Sequence, residues 1–461
     1  MLNKGISLKE IINITNGIGF DICDKSVFNI STDTRTINKG DLFIPIKGEN
    51  FDGHDFINQA FEKGAIASLC NKDKDIKLKN VIFVNDTLKA YQEIAKYILR
   101  KVNPKVIGIT GSSGKTSTKE LAYSLFKNYF KTLKTEGNFN NQIGLPYTLT
   151  KLNEEHEITI LEMGMRGLNQ IKELTEIAPP NYGIITGIGT AHIEILGSQE
   201  NIAIAKWELA QAIQANNGYL AIPYYDKFLL KLSESFKDKN KLFFINLQKD
   251  EHSSIYLINS WVEENKQYFT FKNRISDRKH IAFMSVLGQH QISNALLVIA
   301  ISNAFEISLP NTIDLTFENL FGRNEYIKVS NSLIVNDSYN ANPESMKAGI
   351  KTFLENNKDS KNILVLGEMK ELGNFSKDLH KEIGLFCSKF SNIEKLIVVG
   401  ENAKYILDGY SKDNYIFFDK KEDCINFLNN LLDKSYNIYF KASRGAKLED
   451  IINNLGVKNG K

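Results

Sequence analysis

The stretch that decides the fold is Val106-Ile-Gly-Ile-Thr-Gly-Ser-Ser-Gly-Lys-Thr-Ser117, an apolar strand followed by a glycine-bearing loop and the start of a helix. Glycines let backbone N–H groups close on phosphate oxygens at the positive end of a helix, where Lys115 can reach the β- and γ-phosphates. The hydroxyl of Thr116 can ligate Mg²⁺. The loop departs from the common G-x-x-x-x-G-K-[ST] spacing, because Ile109 stands where that pattern has glycine. The sequence predicts a nucleotide-binding loop made of Gly111, Ser112, Ser113, Gly114, Lys115, Thr116 and Ser117.

On both sides of this loop, short apolar runs alternate with helical segments. Apolar strands that alternate with helices indicate a mostly parallel sheet covered on both faces. At roughly 150 residues per domain, a chain of 461 residues corresponds to about three domains. Connectors are expected at Lys101-Val-Asn-Pro104 and near Leu309-Pro310, because proline favours extended or turn conformations in the chain around it. We predict α/β domains at residues 1–104, 105–310 and 311–461, the last of them with a doubly wound sheet.

Composition argues against several classes of protein. Hydrophobic residues make up 42% and charged residues 24% of the chain, and no run approaches the roughly 18 apolar residues of a membrane-spanning helix. A net charge of +3 gives no strong field for attracting nucleic acid or a membrane surface. The four cysteines form neither a C-x-x-C pair nor a disulfide framework, and the N-terminus lacks a secretory signal. We expect a soluble, cytoplasmic protein with no nucleic-acid partner and no membrane insertion.

Three further residues could act beside the loop. Glu162 ends an apolar strand, where its hard carboxylate oxygens suit Mg²⁺, although a solvated strand-end acid is the plain alternative. His192 follows another apolar run, and a lone histidine is more often a hydrogen-bonded loop residue than a metal ligand. Lys206 lies in a helical run, where a solvated cation is the ordinary interpretation. Residue type and position alone leave all three roles open.

Four further motifs carry a family resemblance. They are Thr135-Glu-Gly-Asn-Phe-Asn-Asn-Gln-Ile-Gly-Leu-Pro146, Asp337-Ser-Tyr-Asn-Ala-Asn-Pro343, Gly367-Glu-Met-Lys-Glu-Leu-Gly373 and Lys441-Ala-Ser-Arg444. With the shortened Thr-Gly-x-x-Gly-Lys-Thr loop, they resemble the Mur ligases, whose loop is similar to that of folylpolyglutamate synthases. The matches run in order from Asp33 to Arg444. The resemblance implies an N-terminal UDP-binding α/β domain, a central P-loop mononucleotide-binding domain and a C-terminal Rossmann-like domain.

The resemblance also implies roles for individual residues. It implies two Mg²⁺ sites held by Thr116, Glu162, His192 and Lys206, the last as a carbamate formed with CO₂. It implies that the catalytic residues are Lys115, Glu162, His192 and Lys206. For ATP, the resemblance adds Asn294 as an adenine contact, Arg323 as a phosphate ligand, and Asp337 and Asn340 in the interdomain cleft. For the other substrates it points to Ser31, Arg35, Asn138, Asn140, Asn141, Ser443 and Arg444.

Two positions in the C-terminal third carry separate expectations. Ala442 stands where the family has glycine, and alanine excludes the left-handed backbone conformations that glycine permits. His380 lies in a helical segment, where we expect it on the helix surface as a support for the cleft and not as a catalytic residue.

The activity that the resemblance implies is ATP-dependent addition of D-alanyl-D-alanine to UDP-N-acetylmuramoyl-tripeptide through an acyl phosphate, in peptidoglycan precursor synthesis. Both substrates to be joined are small molecules, and we expect a monomeric enzyme. A competing possibility is the family member that adds a diamino acid as the third residue; it usually carries an Asn-Pro-Arg motif, which this chain lacks. A P-loop NTPase stimulated by polynucleotide is less favoured, because the net charge is low. A non-catalytic cell-wall-binding protein would have little use for Lys115, Thr116, Glu162 and Lys206 in one chain.

Overall fold

Three main sheets organise the chain, and each has helices packed against it. The computed structural model describes residues 2–318 and 321–456. Within those residues, no helix combines the length and the apolar character needed to cross a membrane. The four cysteines are unpaired, as the sequence predicts.

The first unit carries a five-stranded sheet. Its elements are β1 Ile6–Ser7, α1 Leu8–Thr15, β2 Ile18–Gly19, β3 Ser26–Val27, β4 Ile30–Ser31, β5 Leu42–Phe43, α2 Ile57–Glu62, β6 Ala67–Asn71, β7 Val81–Val84 and α3 Thr87–Val102. The sheet has the order β2-β7-β6-β5-β4 and is parallel except for β2, while β1 and β3 form a separate antiparallel pair. The Asp86 side chain caps α3 by accepting two backbone N–H groups of its first turn. The helix ends at Asn103 in the left-handed conformation, and the chain then passes into the second unit.

The second unit carries a ten-stranded sheet. Its strands are β8 Lys105–Thr110, β9 Thr132–Lys134, β10 Ile158–Glu162, β11 Tyr182–Ile185, β12 Tyr219–Pro223, β13 Leu242–Asn246, β14 Ile255–Glu263, β15 Lys266–Asn273, β16 Arg278–Met284 and β17 Thr312–Asp314. Its helices are α4 Lys115–Phe126, α5 Gly144–Thr150, α6 Gln170–Ile177, α7 Ile193–Leu196, α8 Gln199–Ala215, α9 Lys227–Ser233 and α10 Gln289–Ser302. The order is β17-β16-β15-β14-β13-β12-β11-β8-β10-β9, with β15 antiparallel to both of its neighbours.

β8 is the strand that brings the site together. It is buried after its first residue, as expected for an apolar strand covered on both faces. Its parallel neighbours are β10 and β11, and the register pairs Glu162 with Ile109 and Ile185 with Thr110. The three strands therefore end at the same edge of the sheet, which is where ligands bind in open α/β folds.

The boundary between the second and third units differs from the sequence expectation at residue 310. β17 pairs with β16 in the register Ile281 to Thr312, so the central sheet continues to Asp314. This strand has three residues, and a segment that short leaves no periodic signal by which to assign it to a sheet.

The third unit carries a six-stranded sheet. Its elements are β18 Glu325–Val329, β19 Ser332–Asn336, α11 Pro343–Asn356, β20 Asn362–Gly367, α12 Ser376–Cys387, β21 Ile393–Val399, β22 Tyr415–Phe418, α13 Lys421–Asn429, β23 Asn437–Lys441 and α14 Glu449–Asn453. The order β18-β19-β23-β20-β21-β22 is parallel except for β18 at one edge, which confirms the predicted doubly wound architecture. Among the described residues of all three units, 3-10 helices are formed by Gly53–Phe56, Lys239–Lys241, Asn303–Phe305, Gly373–Phe375, Asn402–Gly409, Leu432–Lys434 and Arg444–Ala446.

Candidate active site

The loop after β8 has the backbone geometry of a phosphate cradle. Gly111 and Gly114 have φ angles of +152° and +81°, which L side chains rarely adopt. A Cβ atom at Gly111 would lie 1.8 Å from Thr186 Oγ1, so only glycine lets the loop pack against the end of β11. α4 begins directly after Gly114 without a side-chain cap, which leaves first-turn N–H groups available for an anion.

Lys115 is folded back across this loop. Its Nζ donates to the carbonyl oxygen of Gly111 at 2.8 Å. Desolvation lowers the pKa of Lys115, and the nearby Glu162 carboxylate opposes that shift. The amine therefore lies within the cradle, where it can exchange its bond to a carbonyl for one to a phosphate oxygen.

Glu162 joins two of the predicted motifs to each other. It is 3% exposed, and its two carboxylate oxygens accept from Thr116 Oγ1 at 2.9 Å and from Asn140 Nδ2 at 2.8 Å. Its backbone N–H donates to Thr135 Oγ1 at 3.0 Å. The structure thus brings the loop hydroxyl, the strand-end acid and the Thr135–Pro146 segment into one hydrogen-bonded group. Hydroxyl and carboxylate oxygens are the donors that Mg²⁺ prefers, so this pair fits a magnesium ion.

His192 and Lys206 lie near this group without contacting Glu162 in the structure. His192 has a φ angle of +68°, and its Nδ1 lies 2.6 Å from Glu371 Oε2. This contact with His192 holds the pKa of Glu371 below its ordinary value. Lys206 is 1% exposed and makes no hydrogen bond or ion pair with any other described residue. Burial, and then the charge of Lys115, hold the pKa of Lys206 well below its ordinary value. Across the described part of the chain, no three acidic, cysteine or histidine side chains converge as a metal site.

The third unit contacts the phosphate-loop side of the central unit through Asn342, which lies in the predicted Asp337–Pro343 motif, and through Glu344, which the sequence did not single out. Asn342 Nδ2 donates to Ser112 O at 3.3 Å and lies 3.0 Å from Ser113 Oγ. Two residues further, Glu344 Oε1 accepts from the backbone N–H of Thr190 at 3.0 Å and from its hydroxyl at 3.1 Å. The N-terminus of α11 therefore rests on the loop that is predicted to bind nucleotide.

A local signal for this contact existed in the sequence. An asparagine followed by proline marks a helix N-terminus, and Asn342 caps α11 in the structure by accepting from Ser345 N–H at 2.8 Å. What the sequence could not show is that this helix end lies over Ser112 and Ser113, about half the chain away.

Two other predicted ATP contacts sit at this junction. Asn294 is buried on α10 and lies against the loop, because a Cβ atom at Gly114 would be 2.8 Å from its Oδ1. Its Nδ2 donates to Gln291 Oε1 at 3.1 Å, and Gln291 Nε2 in turn lies 3.4 Å from Ser117 Oγ. The structure brings Asn294 and Ser117 together at the loop, and the adenine contact of Asn294 stays a prediction.

Asp337 points into the third unit. Its Oδ2 accepts from Lys441 Nζ at 2.5 Å and from the Tyr439 hydroxyl at 2.7 Å. Asn340 is exposed; its side-chain Oδ1 accepts the adjacent backbone N–H of Ala341 at 3.0 Å, and its backbone carbonyl accepts from Lys441 Nζ at 3.3 Å. The structure therefore ties Asp337 into a buried ion pair at the end of β19 and leaves Asn340 free to face the cleft.

Ser443 and Arg444, which follow β23, occupy different environments. Ser443 is buried, donates to Ala341 O at 3.0 Å and accepts from Lys370 N–H at 2.9 Å, so it fastens two loops of the third unit. Arg444 is largely exposed, pairs with Glu449 at 3.2 Å and stacks over the ring of Tyr339.

The residues predicted to contact the UDP-bearing substrate are spread over the first two units. Ser31 is buried and donates to Asp33 O at 2.9 Å, while Arg35 pairs with the Asp33 carboxylate at the surface. Asn138 is exposed, and Asn141 Oδ1 accepts the N–H of Gly144 at the start of α5. No described contact joins Ser31 or Arg35 to the phosphate loop.

Two expectations for the third unit are corrected or answered by the structure. His380 is fully buried, not on the helix surface; its Nδ1 lies 2.7 Å from Ser376 O and its Nε2 accepts from Met369 N–H at 2.9 Å. Ala442 is also buried and has no positive φ, so alanine fits this backbone. A Cβ atom at Gly367 would lie 2.8 Å from the Cβ of Ala442, so the glycine on β20 makes room for the alanine.

Comparison with known proteins places this geometry in a family. Models described as "Mur ligase family, catalytic domain", "Mur ligase middle domain" and "Mur ligase, glutamate ligase domain" match residues 26–109, 109–302 and 322–444. A protein of Bacillus subtilis named UDP-N-acetylmuramoyl-tripeptide--D-alanyl-D-alanine ligase is 36% identical over 438 residues, which cover 93% of each chain. The chain belongs to the Mur ligase family.

Further Mur ligases agree in both sequence and structure. The Escherichia coli protein of the same name is 31% identical, and the alignment covers 98% of each chain. A crystal structure of MurF from Acinetobacter baumannii superposes with a TM-score of 0.89 at 27% identity, covering 98% of this chain and 99% of that one. MurF from Thermotoga maritima, solved in complex with ADP, gives a TM-score of 0.79 at 27% identity, covering 93% and 97%.

Proposed function

We propose that this Mur ligase joins D-alanyl-D-alanine to UDP-N-acetylmuramoyl-tripeptide at the expense of ATP, in cytoplasmic peptidoglycan precursor synthesis. The observation that carries the proposal is the contact of Glu162 with both Thr116 and Asn140. It links the residue type that binds nucleotide-bound Mg²⁺ to the segment that, by the family resemblance, faces the acceptor substrate. The names of the relatives supply the identity of the two substrates.

Thr116 and Glu162 are the residues that would hold the first Mg²⁺. When bound there, the ion neutralises phosphate charge and orients the γ-phosphate. Lys115 lies in the same cradle and adds a second positive charge. The backbone N–H groups at the start of α4 complete the set of donors.

Lys206 is proposed to act as a carbamate, with His192 as a further ligand of the second metal. A lysine that is 1% exposed and has no anionic partner is held neutral by burial, and a neutral amine is the form that adds CO₂. The nitrogen bonds to the CO₂ carbon and loses a proton, so the product is an anionic oxygen ligand in place of a neutral amine. Nδ1 of His192 lies 2.6 Å from the Glu371 carboxylate, which orients the ring and leaves Nε2, which has no hydrogen-bond partner among the described residues, as the nitrogen that would bind the metal.

The proposed reaction has two steps. In the first, a carboxylate oxygen of the tripeptide attacks the γ-phosphorus, the bond to the β-phosphate oxygen breaks, and ADP leaves. In the second, the amine of the dipeptide attacks the acyl carbon, a C–N bond forms, inorganic phosphate leaves and the amine loses a proton. Lys115 and Glu162 orient the reacting groups, and closure of the third unit on the loop excludes water that would hydrolyse the acyl phosphate.

The three units are proposed to divide the binding work. Residues 1–104 would hold the UDP end through Ser31 and Arg35, and the central unit would hold ATP and the tripeptide carboxylate near Asn138 and Asn141. Residues beyond Asp314 would deliver the dipeptide and close the site, with Asp337 and Asn340 lining the cleft and Ser443 and Arg444 at the dipeptide or nucleotide end. We propose a monomer, because contacts within one chain already bring together the segments that are proposed to bind ATP.

An oxygen-isotope experiment tests the acyl phosphate. A tripeptide substrate labelled with ¹⁸O in the reacting carboxylate should transfer one labelled oxygen to inorganic phosphate during ligation. Label that stays entirely in the peptide product would contradict carboxylate phosphorylation. ATP hydrolysis that is stimulated by polynucleotide and independent of both peptides would instead favour a nucleic-acid-dependent NTPase.

A further inference from the structure

The ring of Tyr339 contacts two of the seven arginines in the chain. The guanidinium carbon of Arg323 lies 4.3 Å from the centroid of its ring, and that of Arg444 lies 5.4 Å away. Both distances are within the roughly 6 Å over which a cation is attracted to an aromatic face. The two arginines come from segments more than 100 residues apart, so this ring is the point at which they meet.

The two cations are poorly neutralised. Arg323 makes no ion pair with a carboxylate among the described residues, and the single partner of Arg444 is Glu449 at 3.2 Å. Tyr339 lies three residues before Asn342, whose side chain contacts Ser112 and Ser113 of the phosphate loop, so the two arginines are brought together close to the contact between the second and third units. Like charges gathered without matching carboxylates favour an incoming anion.

The backbone around the ring is held in place. Tyr339 N–H donates to Gly322 O at 2.9 Å, directly before Arg323. Gly322 N–H donates to Glu325 Oε2 at 3.1 Å, and the same oxygen accepts from Asn336 Nδ2 at 2.9 Å. These bonds fasten the turn that carries Arg323 to the loop that carries Tyr339. The Tyr339 hydroxyl makes no hydrogen bond to a described residue, so the contacts of this side chain with the two arginines are made by its ring.

We propose that Tyr339 is a positioning residue whose ring holds Arg323 and Arg444 as a joint receptor for an oxyanion that enters between the second and third units. The oxyanion is either the phosphate chain of the nucleotide or a carboxylate of a peptide substrate. Stacking on a rigid ring restricts two long side chains before binding, which lowers the entropy lost when they grip the anion. The proposal rests on the function proposed above and adds a residue to it.

The test compares Tyr339→Ala, Tyr339→Leu and Tyr339→Phe. If the oxyanion is the phosphate chain of the nucleotide, calorimetric titration with ADP should show Kd rising roughly three- to tenfold in the alanine and leucine variants, the range that a lost cation–π contact implies. The phenylalanine variant should rescue binding to within about twofold. Tyr415→Ala, an exposed tyrosine on the far edge strand β22, is the matched control and should leave Kd unchanged. Melting temperatures identify any variant that fails to fold.

The kinetic arm distinguishes the two sources of the oxyanion. If the KM for ATP rises and the KM for the dipeptide is unchanged, the oxyanion is the phosphate chain of the nucleotide. If the KM for the dipeptide rises and the KM for ATP is unchanged, the oxyanion is the peptide carboxylate, and the ADP isotherm then stays constant. Unchanged values of both KM and Kd in the folded leucine variant would overturn the proposal. So would a phenylalanine variant as weak as alanine, because the hydroxyl would then be the active part. ADP binding needs no ligation, so failure of the proposed function is visible separately as absent product.

Discussion

At the scale of single residues, Lys206 combines deep burial with the absence of an anionic partner among the described residues. It lies on α8 and is 1% exposed. A buried, unpaired ammonium costs several kcal/mol or more by general estimates, so the amine is held neutral instead. Groups whose pKa is strongly shifted by burial cluster at functional sites, and this is the basis for the chemical role proposed for Lys206.

Replacement of Lys206 tests the carbamate. Lys206→Ala should lower the rate of ligation by roughly a hundredfold or more, the range of losses seen when a metal ligand or its support is removed. Short carboxylic acids such as acetate should restore part of the rate, because they supply the missing anionic oxygen. The measurement is initial rate against acid concentration.

Methylammonium serves as the chemical control for this rescue, and Lys172→Ala on neighbouring α6 as the control variant, since its side chain is exposed. Full activity of Lys206→Ala without added acid would refute the carbamate. Rescue by methylammonium and not by acetate would show that Lys206 acts as a cation.

The sequence predicted many individual site residues but few of the contacts that those residues make with each other. Glu162 and Thr116 were predictable because parallel strands end at one edge of a sheet, which brings residues after β8 and β10 together. Glu344 was not, because its contact with Thr190 depends on how two units dock across 154 residues. The direction of a side chain at such an interface depends on how the two units pack, and the periodic pattern of the local sequence does not predict that packing.

At the scale of elements, α12 stabilises the loop that follows β20. His380 on this helix accepts the backbone N–H of Met369 through Nε2, and that loop also carries Glu371, the neighbour of His192. Burial holds the pKa of His380 below 6.5, with a smaller opposing contribution from the Ser376 carbonyl and Glu368. A neutral imidazole is required, because protonation would remove the Nε2 acceptor.

His380→Leu should reduce the free energy of unfolding by about 1–3 kcal/mol at pH 8, the cost of a buried N–H left without its acceptor. The difference from wild type should shrink as the pH falls below 6.5. Below that value the unfolded wild-type chain binds a proton at His380 and the native chain does not, so wild-type stability falls with acidification while the variant lacks this contribution. Denaturant unfolding between pH 8 and pH 5 measures both effects.

His252→Leu, at an exposed histidine, should change stability by less than about 0.5 kcal/mol and serves as control. A difference between wild type and His380→Leu that stays constant over the whole pH range would contradict a buried neutral imidazole at position 380.

At the scale of the whole molecule, the third unit contacts the phosphate-loop side of the central unit through the N-terminus of α11. Asn342 and Glu344 at the start of α11 bond to Ser113 and Thr190 of the central unit. A nucleotide bound as proposed in the loop would meet this helix end, so we expect occupancy of the loop and the position of the third unit to be coupled. Neither the strand pattern nor the motif spacing contains this coupling, although both predicted the folds of the two units.

Glu344→Gln should weaken closure. The carboxylate accepts two hydrogen bonds, and replacing a charged acceptor by an amide costs about 1–2 kcal/mol, or roughly tenfold in the closed population. We expect a lower kcat, and a larger radius of gyration by small-angle scattering with ATP analogue bound. Glu355 lies in the last turn of the same helix, and its ion-pair partner is Lys351. The control variant Glu355→Gln should therefore match wild type. A Glu344→Gln enzyme with wild-type kcat and radius would contradict the coupling.

The proposed ligation is tested most directly by the mass of the product that the purified enzyme forms with ATP, Mg²⁺, UDP-N-acetylmuramoyl-tripeptide and D-alanyl-D-alanine. We predict one new species, heavier than the tripeptide substrate by one dipeptide less one water, formed with one ADP per ligation and absent when single amino acids replace the dipeptide. Product formed only from UDP-N-acetylmuramoyl-dipeptide and a free diamino acid, or ATP hydrolysis without any ligated product, would contradict the proposed activity.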